Sequence, residues 1–556
     1  MKKLFTWWFY LILGNLLISC QHRQNHQVIV GIFCINDFHG AFLENPEKGI
    51  PGAKNILNTL DSLKQVYPYH ITIAAGDNYG GSYLYKAMKG IPLPYFFQAA
   101  GIHVSATGNH EFIDNSFREL NTSDKKVQSK TDWDITYLCA NVKDSTDKSP
   151  HSIQPYTHQS IKFSESCSIN VAFIGLTTAS TPDYSNTKPF KFESNYALAL
   201  EALKQSESYA MVDSADVRFL IAHIGAFEHD GSAFWADQHS NQLYAIADTT
   251  LHGIFSAHQH TLVCNRINDR KYPITQAGKF GTHIAIMKVI YDTLQQRVIS
   301  VIPEVCKVNS ATHSSVATSF DLLLDSLLTH TKIEGYQLNQ VLCNAETALL
   351  HTTASRHSFT ELGNLICKAY ATAYRNAAHT HPNDSTPIIG LAHFGSIRND
   401  LNPGEINVLE AGSTLPYPNR LRAFRLNGWR LKELLTFGIN NHKYGWLQSS
   451  DIEMHCNSTS PLRVNSVKYV TPSGTRITIA DEIPCIVVAD EFIVTGGDNY
   501  RIKDFPEDRE IPIDLPNTTQ AFFQYLQQQK SIGADTLSTY KLIIKDKHYC
   551  SLKAIQ

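Results

Sequence analysis

Charge is scarce in this chain. Asp, Glu, Lys and Arg make up 18% of its 556 residues, and 48 Lys and Arg against 51 Asp and Glu leave a net charge of −3. No basic run exceeds a pair such as Lys125-Lys126, which excludes a protein built to track a nucleic-acid backbone. The 11 cysteines include no C-x-x-C pair, so neither a zinc ribbon nor a thioredoxin-type redox site is supported. There is no internal repeat and no low-complexity tract. Beyond Gln21 no apolar run approaches the ~20 residues that a membrane helix needs. Hydrophobic residues, at 43%, are plentiful, enough for large cores and too many for disorder. Histidine is abundant, with 25 in the chain, and it is the commonest metal ligand among side chains.

The first residues bear on compartment. Met1-Lys2-Lys3 is a positive start, and Leu4 to Ile18 is apolar and shorter than a membrane span, as in an export signal. It ends Leu17-Ile18-Ser19-Cys20, which resembles the lipobox of bacterial lipoproteins. The resemblance implies cleavage before Cys20, lipid on that cysteine, and a polar tether from Gln21. Export with anchoring to a bacterial membrane is therefore expected, by analogy the outer membrane, facing the periplasm or the cell surface. The other ten cysteines, Cys34 to Cys550, are scattered; disulfides are open to an exported chain, but most read as small buried apolar residues.

From Gln27 short apolar runs alternate with helical periodicity. Val28 to Phe33, Ile71 to Ala74, Val171 to Leu176, Val217 to Ala222 and Gly253 to Phe255 read as strands. Ala53 to Tyr67 reads as an amphipathic helix with Ile56, Leu57, Leu60 and Leu63 on one face. Continuous apolar strands separated by helices indicate a layered α/β domain covered on both faces. Ser314 to Thr331 predicts a connecting helix. A second α/β region follows, with a helix at Leu362 to Ala373, strands at Pro387 to Ala392 and Cys485 to Val488, and a last helix from Thr519 to Gln529. The expected division is a signal at 1–19, a tether at 20–26, a first domain at 27–304, a connector at 305–337 where the chain hinges, and a second domain at 338–556.

Five segments share one layout, an apolar strand followed by a short polar loop. They are Ile35-Asn36-Asp37-Phe38-His39-Gly40, Ala75-Gly76-Asp77-Asn78, Thr107-Gly108-Asn109-His110-Glu111, Ile221-Ala222-His223-Ile224-Gly225 and Ser256-Ala257-His258-Gln259-His260. Ligands of open α/β sheets bind beyond the carboxyl ends of strands, so these loops should converge. Asp and His suit Zn, Mn, Fe or Co, and D-x-H and H-x-H spacing lets alternate side chains face one way. Alone, a Gly-Asp or a His-x-His is ordinarily loop or core. Five in this order behind strands form a metal-site pattern.

The series Asn36-Asp37-x-His39, Gly76-Asp77, Gly108-Asn109-His110-Glu111, His223 and His258-x-His260 resembles the calcineurin-like metallophosphoesterases, and in particular the bacterial 5′-nucleotidase family. The resemblance spans nearly the whole chain after the leader. It implies a four-layer α/β sandwich, two mixed sheets flanked by helices, followed by a second α/β substrate-binding domain. It also implies two divalent metal ions (Zn, Mn, Co or Fe), one on Asp37, His39 and His260, the other on Asn109, His223 and His258, with Asp77 bridging. His110 would be a non-ligand donating to the phosphoryl or leaving oxygen. The family usually orients that histidine with an Asp three positions on; here that position is Ile113, and either Asp114, the next residue, takes the catalytic role through a shifted turn or the dyad is incomplete.

The second half carries the rest of the resemblance. Ala392-His393-Phe394-Gly395-Ser396-Ile397-Arg398 is similar to N-x-G-G-I-R, Leu415-Pro416-Tyr417-Pro418-Asn419 to P-F-G-N, and Phe492 to Tyr500 to F-x-x-x-G-G-D-G-Y. By carry-over Arg356 and Arg398 face phosphate, and a guanidinium fork suits that dianion. Tyr417 and Phe492 would sandwich a nucleobase, Asn419 would read a base edge, and Asp498 would accept from ribose hydroxyls. The chain departs from the pattern at five positions: His393 stands for its Asn, Tyr417 for its Phe, and Ser396, Pro418 and Asn499 for its glycines.

The implied activity is dimetal hydrolysis of nucleotides, a nucleoside 5′-monophosphate giving nucleoside and phosphate, by attack of a water that bridges the ions. A 2′,3′-cyclic-nucleotide phosphodiesterase/3′-nucleotidase or a UDP-sugar hydrolase on the same scaffold is the nearest alternative. A catalytically decayed nucleotide-binding lipoprotein is the alternative of another class. The expected partners are a small nucleotide and the membrane, with no nucleic-acid polymer and no obligate protein.

Overall fold

The structure is a computed structural model. It describes residues 26–544 apart from 116–133, 147–151, 185–186, 206–208, 237–242, 244–250, 268–270, 310–312, 353, 381–384, 458–459, 472, 501, 503–508 and 534–540. The leader and Cys20 therefore lie outside the described residues, as do the side chains of 113–115. Two compact units divide between Asp325 and Ser326, within the helix Ser315–His330.

The N-terminal unit is built on two sheets. In the first, Gln27–Ile35 lies between Tyr69–Ala74 and His283–Asp292. It is parallel to the former and antiparallel to the latter. Ile102–Ala106, Thr136–Leu138 and Ile153–Gln154 extend the parallel side, and Arg297–Lys307 closes the other edge. The second sheet has six strands in the order Leu262–Ile267, Tyr272–Ala277, Gly253–Ser256, Val217–His223, Ser168–Thr177 and Tyr156–Lys162. Its four inner strands are parallel and its two edges antiparallel.

The apolar runs of these strands are continuous because both faces of each sheet are covered. Val30, Ile32 and Cys34 of the first sheet share one core with Val171, Phe173, Phe219 and Ile221 of the second. The alternate residues Ala172, Ile174 and Leu176 turn outward, into a cluster with Leu200 and Leu203 of the helix Tyr196–Lys204. On the other side Ile56, Leu57 and Leu60 bury one face of the helix Gly52–Val66. Helix, sheet, sheet, helix is thus the layering. The antiparallel hairpin 283–307 has no clean signal in the sequence, because exposed Ile299 and Ile302 and the proline at 303 break the apolar alternation of its outer strand.

The C-terminal unit centres on a five-stranded sheet in the order Gln448–Ser449, Ile388–Ala392, Pro484–Asp490, Leu421–Asn427 and Arg509–Ile511. Ile388–Ala392 and Pro484–Asp490 are parallel, and Leu421–Asn427 runs antiparallel to the latter. Helix Glu361–Ala377 begins at Thr360, whose Oγ1 accepts from Gly363 N at 2.9 Å. The helix lies on the strand at Gly390, where a Cβ would come 1.8 Å from the Cys367 carbonyl oxygen. A four-stranded sheet of Arg476–Ile479, Val464–Val470, Ile452–Cys456 and Lys541–Ile544 completes the unit.

Candidate functional site

Every polar loop singled out in the first half follows a strand end of the N-terminal unit. The loops after Gln27–Ile35 and Tyr69–Ala74 are zipped together. Asp37 N donates to Gly76 O at 3.1 Å, His39 N to Asp77 O at 2.9 Å and Gly40 N to Asn78 O at 3.1 Å. The third loop closes in at Gly108, where a Cβ would stand 2.2 Å from Asp77 Oδ1. Asp37, His39, Asp77, His258 and His260 all have left-handed backbone, with φ between 49° and 78°. Such conformations cost energy for residues with a Cβ and gather where geometry serves a ligand.

These loops bring side chains together in threes. Asp37, His39 and His260 form one group and Asp77, His223 and His258 another, the ligand atoms of each within 4.8 Å of one another. Asp77 also groups with His39 and His110. Its Oδ2 lies 3.2 Å from His223 Nε2 and 3.9 Å from His39 Nε2, so one carboxylate faces both sets. Asn109 is buried in the third loop. His110 packs edge-on against His39 with ring centroids 4.5 Å apart, and its backbone N–H donates to Asp77 Oδ1 at 2.8 Å. The short 3-10 turn His110–Asn115 carries Asp114, but the Asp114 side chain is outside the described residues.

The electrostatics ask for a cation. His223 Nδ1–H donates to Ala75 O at 2.8 Å, which leaves the Nε2 lone pair aimed at the Asp77 carboxylate. Only a proton or a metal ion makes that contact attractive. Burial disfavours the His223 cation, yet the Asp77 carboxylate outweighs it and raises the pKa to about 10. Burial would raise the Asp77 carboxyl, but His223 prevails and holds it below the ordinary carboxylate range. His39 is pulled down to about 4, chiefly by burial, and its Nε2 stands 3.1 Å from His260 Nε2. Imidazole and carboxylate donors at these separations fit divalent metal ions.

Two supporting residues received no role in the sequence reading. Glu111, wholly buried, accepts from Asp77 N at 2.9 Å, Asn78 N at 2.8 Å and Gly108 N at 2.6 Å. It fastens the second loop to the third. Burial, then the nearby Asp77, pushes its pKa up to about 7. Asn36 Nδ2 donates to Asp37 Oδ2 and to Gly278 O, both at 2.7 Å, and its Oδ1 accepts from Ala277 N at 2.8 Å. Adjacency to a ligand inside each motif was the available signal.

In the C-terminal unit, considered by itself, the candidate substrate residues fall on loops tied to the carboxyl ends of Ile388–Ala392 and Pro484–Asp490. His393 to Arg398 follow the first strand and Phe492 to Asp498 the second. The segment with Tyr417 and Asn419 enters Leu421–Asn427, which pairs Leu421 with Asp490, and Glu491 N donates to Arg420 O at 2.8 Å. Arg398 Cζ lies 5.3 Å from the centre of the Tyr417 ring, within cation–π range. The Phe492 ring stacks on His393, with centroids 4.7 Å apart and planes at 29°. His393 Nδ1 is 3.2 Å from Asp498 Oδ2. Arg356 is exposed, and its carbonyl accepts from Trp446 N at 2.8 Å. A Cβ on the adjacent Gly445 would touch both Phe394 and the Arg356 carbonyl.

Two of the departures have a local account. Asn499 has φ 64°, and asparagine is among the few residues with a Cβ that enter this region readily, so the turn survives without glycine. Ser396 sits in the 3-10 turn Phe394–Ser396, and its Oγ donates to His393 O at 2.8 Å.

Residues 330–504 match the family described as 5′-nucleotidase, C-terminal domain. The chain is 23% identical over 494 residues to a 5′-nucleotidase of Bos taurus, covering 83% of this chain and 80% of that protein. Its fold is similar to the crystal structure of a 5′-nucleotidase precursor from Thermus thermophilus, with a TM-score of 0.53 at 19% identity, covering 94% of this chain and all of the other. It is also similar to a 5′-nucleotidase from Candida albicans, with a TM-score of 0.54 at 13% identity, over 90% of this chain and 98% of that one.

Proposed function

We propose that this chain, which belongs to the 5′-nucleotidase family, is a metal-dependent phosphohydrolase that releases phosphate from nucleoside 5′-monophosphates. The observation that carries this reading is the two ligand groups, Asp37 with His39 and His260 and Asp77 with His223 and His258, with Asp77 Oδ2 3.9 Å from His39 Nε2 and 3.2 Å from His223 Nε2. Asp37, His39 and His260 would hold one divalent ion, Asn109, His223 and His258 the other, and Asp77 both. Ions held there supply Lewis acidity and lower the pKa of water.

The chain's own residues do the positioning. Glu111 and Asn36 fix the ligand loops, so that little reorganisation is left to the reaction. His110, beside His39 and tied through its backbone to Asp77, would hydrogen-bond the oxygen on which charge develops. Asp114 would orient it. Arg356 and Arg398 would bind phosphate, Tyr417 and Phe492 the base, Asn419 a base edge and Asp498 the ribose. We also propose that the protein is exported and carries lipid on Cys20; metabolic acyl labelling lost in Cys20→Ala tests this.

The test is phosphate release by the full-length protein in detergent with Mn, Zn or Co, on AMP, UMP, 2′,3′-cyclic AMP, UDP-glucose and an aryl phosphate. Preferential AMP or UMP turnover supports the reading. Preference for the cyclic nucleotide or the sugar nucleotide reassigns the substrate, and nucleotide binding without turnover marks a binding lipoprotein.

A further inference from the structure

We propose that His393 is a positioning residue of the nucleoside site, one that sets both the aromatic platform and the group that reads the ribose. The inference rests on the reading that the C-terminal unit binds a nucleoside. It concerns a residue that stands where the family pattern has asparagine.

Three observations meet at this side chain. Its ring lies on Phe492, near parallel, at 4.7 Å between centroids. Its Nδ1 lies 3.2 Å from Asp498 Oδ2. The His393 side chain is only 12% exposed and that of Asp498 13%, whereas Phe492 remains 42% exposed. Phe492 is therefore partly covered, with His393 on its ring, and partly open to solvent. Gly497 packs against the same ring, since a Cβ there would fall 2.5 Å from it. The short helix Glu491–Val494 that carries Phe492 is pinned at its start by Asp490, whose Oδ1 accepts from Ile493 N at 3.2 Å.

An exposed aromatic side chain ordinarily samples several rotamers, and a ligand that stacks on it must first freeze it. His393 backs Phe492 and removes much of that cost in advance. Asparagine could meet Asp498 but could not stack. Asp498 has the left-handed φ of 51°, and its backbone carbonyl accepts from Asn441 Nδ2 at 3.2 Å; His393 Nδ1 faces its Oδ2 at 3.2 Å without a formed hydrogen bond, and the carboxylate would accept from a ligand hydroxyl. One imidazole thus couples base stacking to diol recognition, and the site selects a ribonucleoside over a phosphate ester that lacks either part.

Calorimetry with the full-length protein in detergent tests this, using adenosine and 2′,3′-dideoxyadenosine with no phosphate present. His393→Ala should weaken adenosine binding by ~5-fold or more, the scale of an aromatic stack together with a polar contact. His393→Phe should keep affinity for dideoxyadenosine and lose the preference for adenosine. His393→Asn should keep the preference and lose affinity for both. With AMP, His393→Ala should raise KM more than it lowers kcat. Equal binding of both ligands by wild type and all three variants overturns the inference, as does wild type that binds neither ligand. If the variants behave as stated but wild type hydrolyses no nucleotide, the proposed function falls and the role of His393 stands. If AMP is hydrolysed and binding is indifferent to His393, the reverse holds.

Discussion

Asp77 shows how much one residue is asked to do here. Its side chain accepts from the His110 backbone, faces His223 and His39, and sits on a left-handed backbone. His223→Ala would remove a candidate ligand rather than a support. It should lower the metal content measured by mass spectrometry and cut phosphate release by more than the ~10–100-fold typical of losing an outer-sphere partner. Glu111→Gln keeps the shape but turns one acceptor oxygen into a donor against backbone N–H groups. Metal affinity should fall within that ~10–100-fold range, read by competition with a chelating dye.

The pH dependence follows from His223. Its pKa in the metal-free fold is raised to about 10, from 6.5. The native state thus holds a proton that the unfolded chain releases earlier, so its contribution to stability is full below 6.5 and is lost as pH rises through 10. Metal must displace that same proton. Between about pH 7 and 9 metal affinity should therefore rise with pH, and calorimetry in buffers of different ionisation enthalpy should detect about one proton released from this histidine. His39, held near 4, adds nothing in that window. Affinity independent of pH would contradict the assignment of His223 as a ligand.

At the scale of elements, the strands carry the site and close approaches fix the helices. Gly390→Ala would drive a Cβ into the Cys367 carbonyl, a backbone atom that cannot rotate away. A loss of ~1–3 kcal/mol is expected from such overpacking, seen as a lower melting transition of the C-terminal unit. His351 is a second element-level brace. Burial holds it down to about 4, so its neutral ring donates from Nε2 to Phe394 O at 2.9 Å and accepts at Nδ1 from Thr360 Oγ1 at 2.7 Å. It ties the start of the helix Glu361–Ala377 to the loop of His393 and Arg398.

For the whole molecule, the metal-ligand candidates all belong to the N-terminal unit and the nucleoside candidates to the C-terminal one. Chelation with EDTA should therefore abolish phosphate release while leaving adenosine binding intact. It should also lower the melting transition of the N-terminal unit alone, by the ~2.7 kcal/mol that a ligand at about a hundred times its Kd confers. Loss of adenosine binding on chelation would show that the metal ligands and the nucleoside residues do not act separately.

Much of this was open to inspection in the chain itself. Buried parallel strands must be continuously apolar, so Val28 to Phe33 and Val217 to Ala222 announced themselves, and residues that ligate metal must sit in polar loops directly behind them. The seven ligand candidates were legible for that reason, because their spacing is local. What only the tertiary structure decided is non-local. That Glu111 clamps loops 33 residues apart, that Asn36 reaches Gly278 across 242 residues, and that His393 lies on Phe492 depend on which strands neighbour which. Hydrogen bonds and ring contacts between distant segments leave no period in a sequence. They exist only once the sheets have fixed the strand order, and that order is set by burial of whole faces rather than by any residue alone.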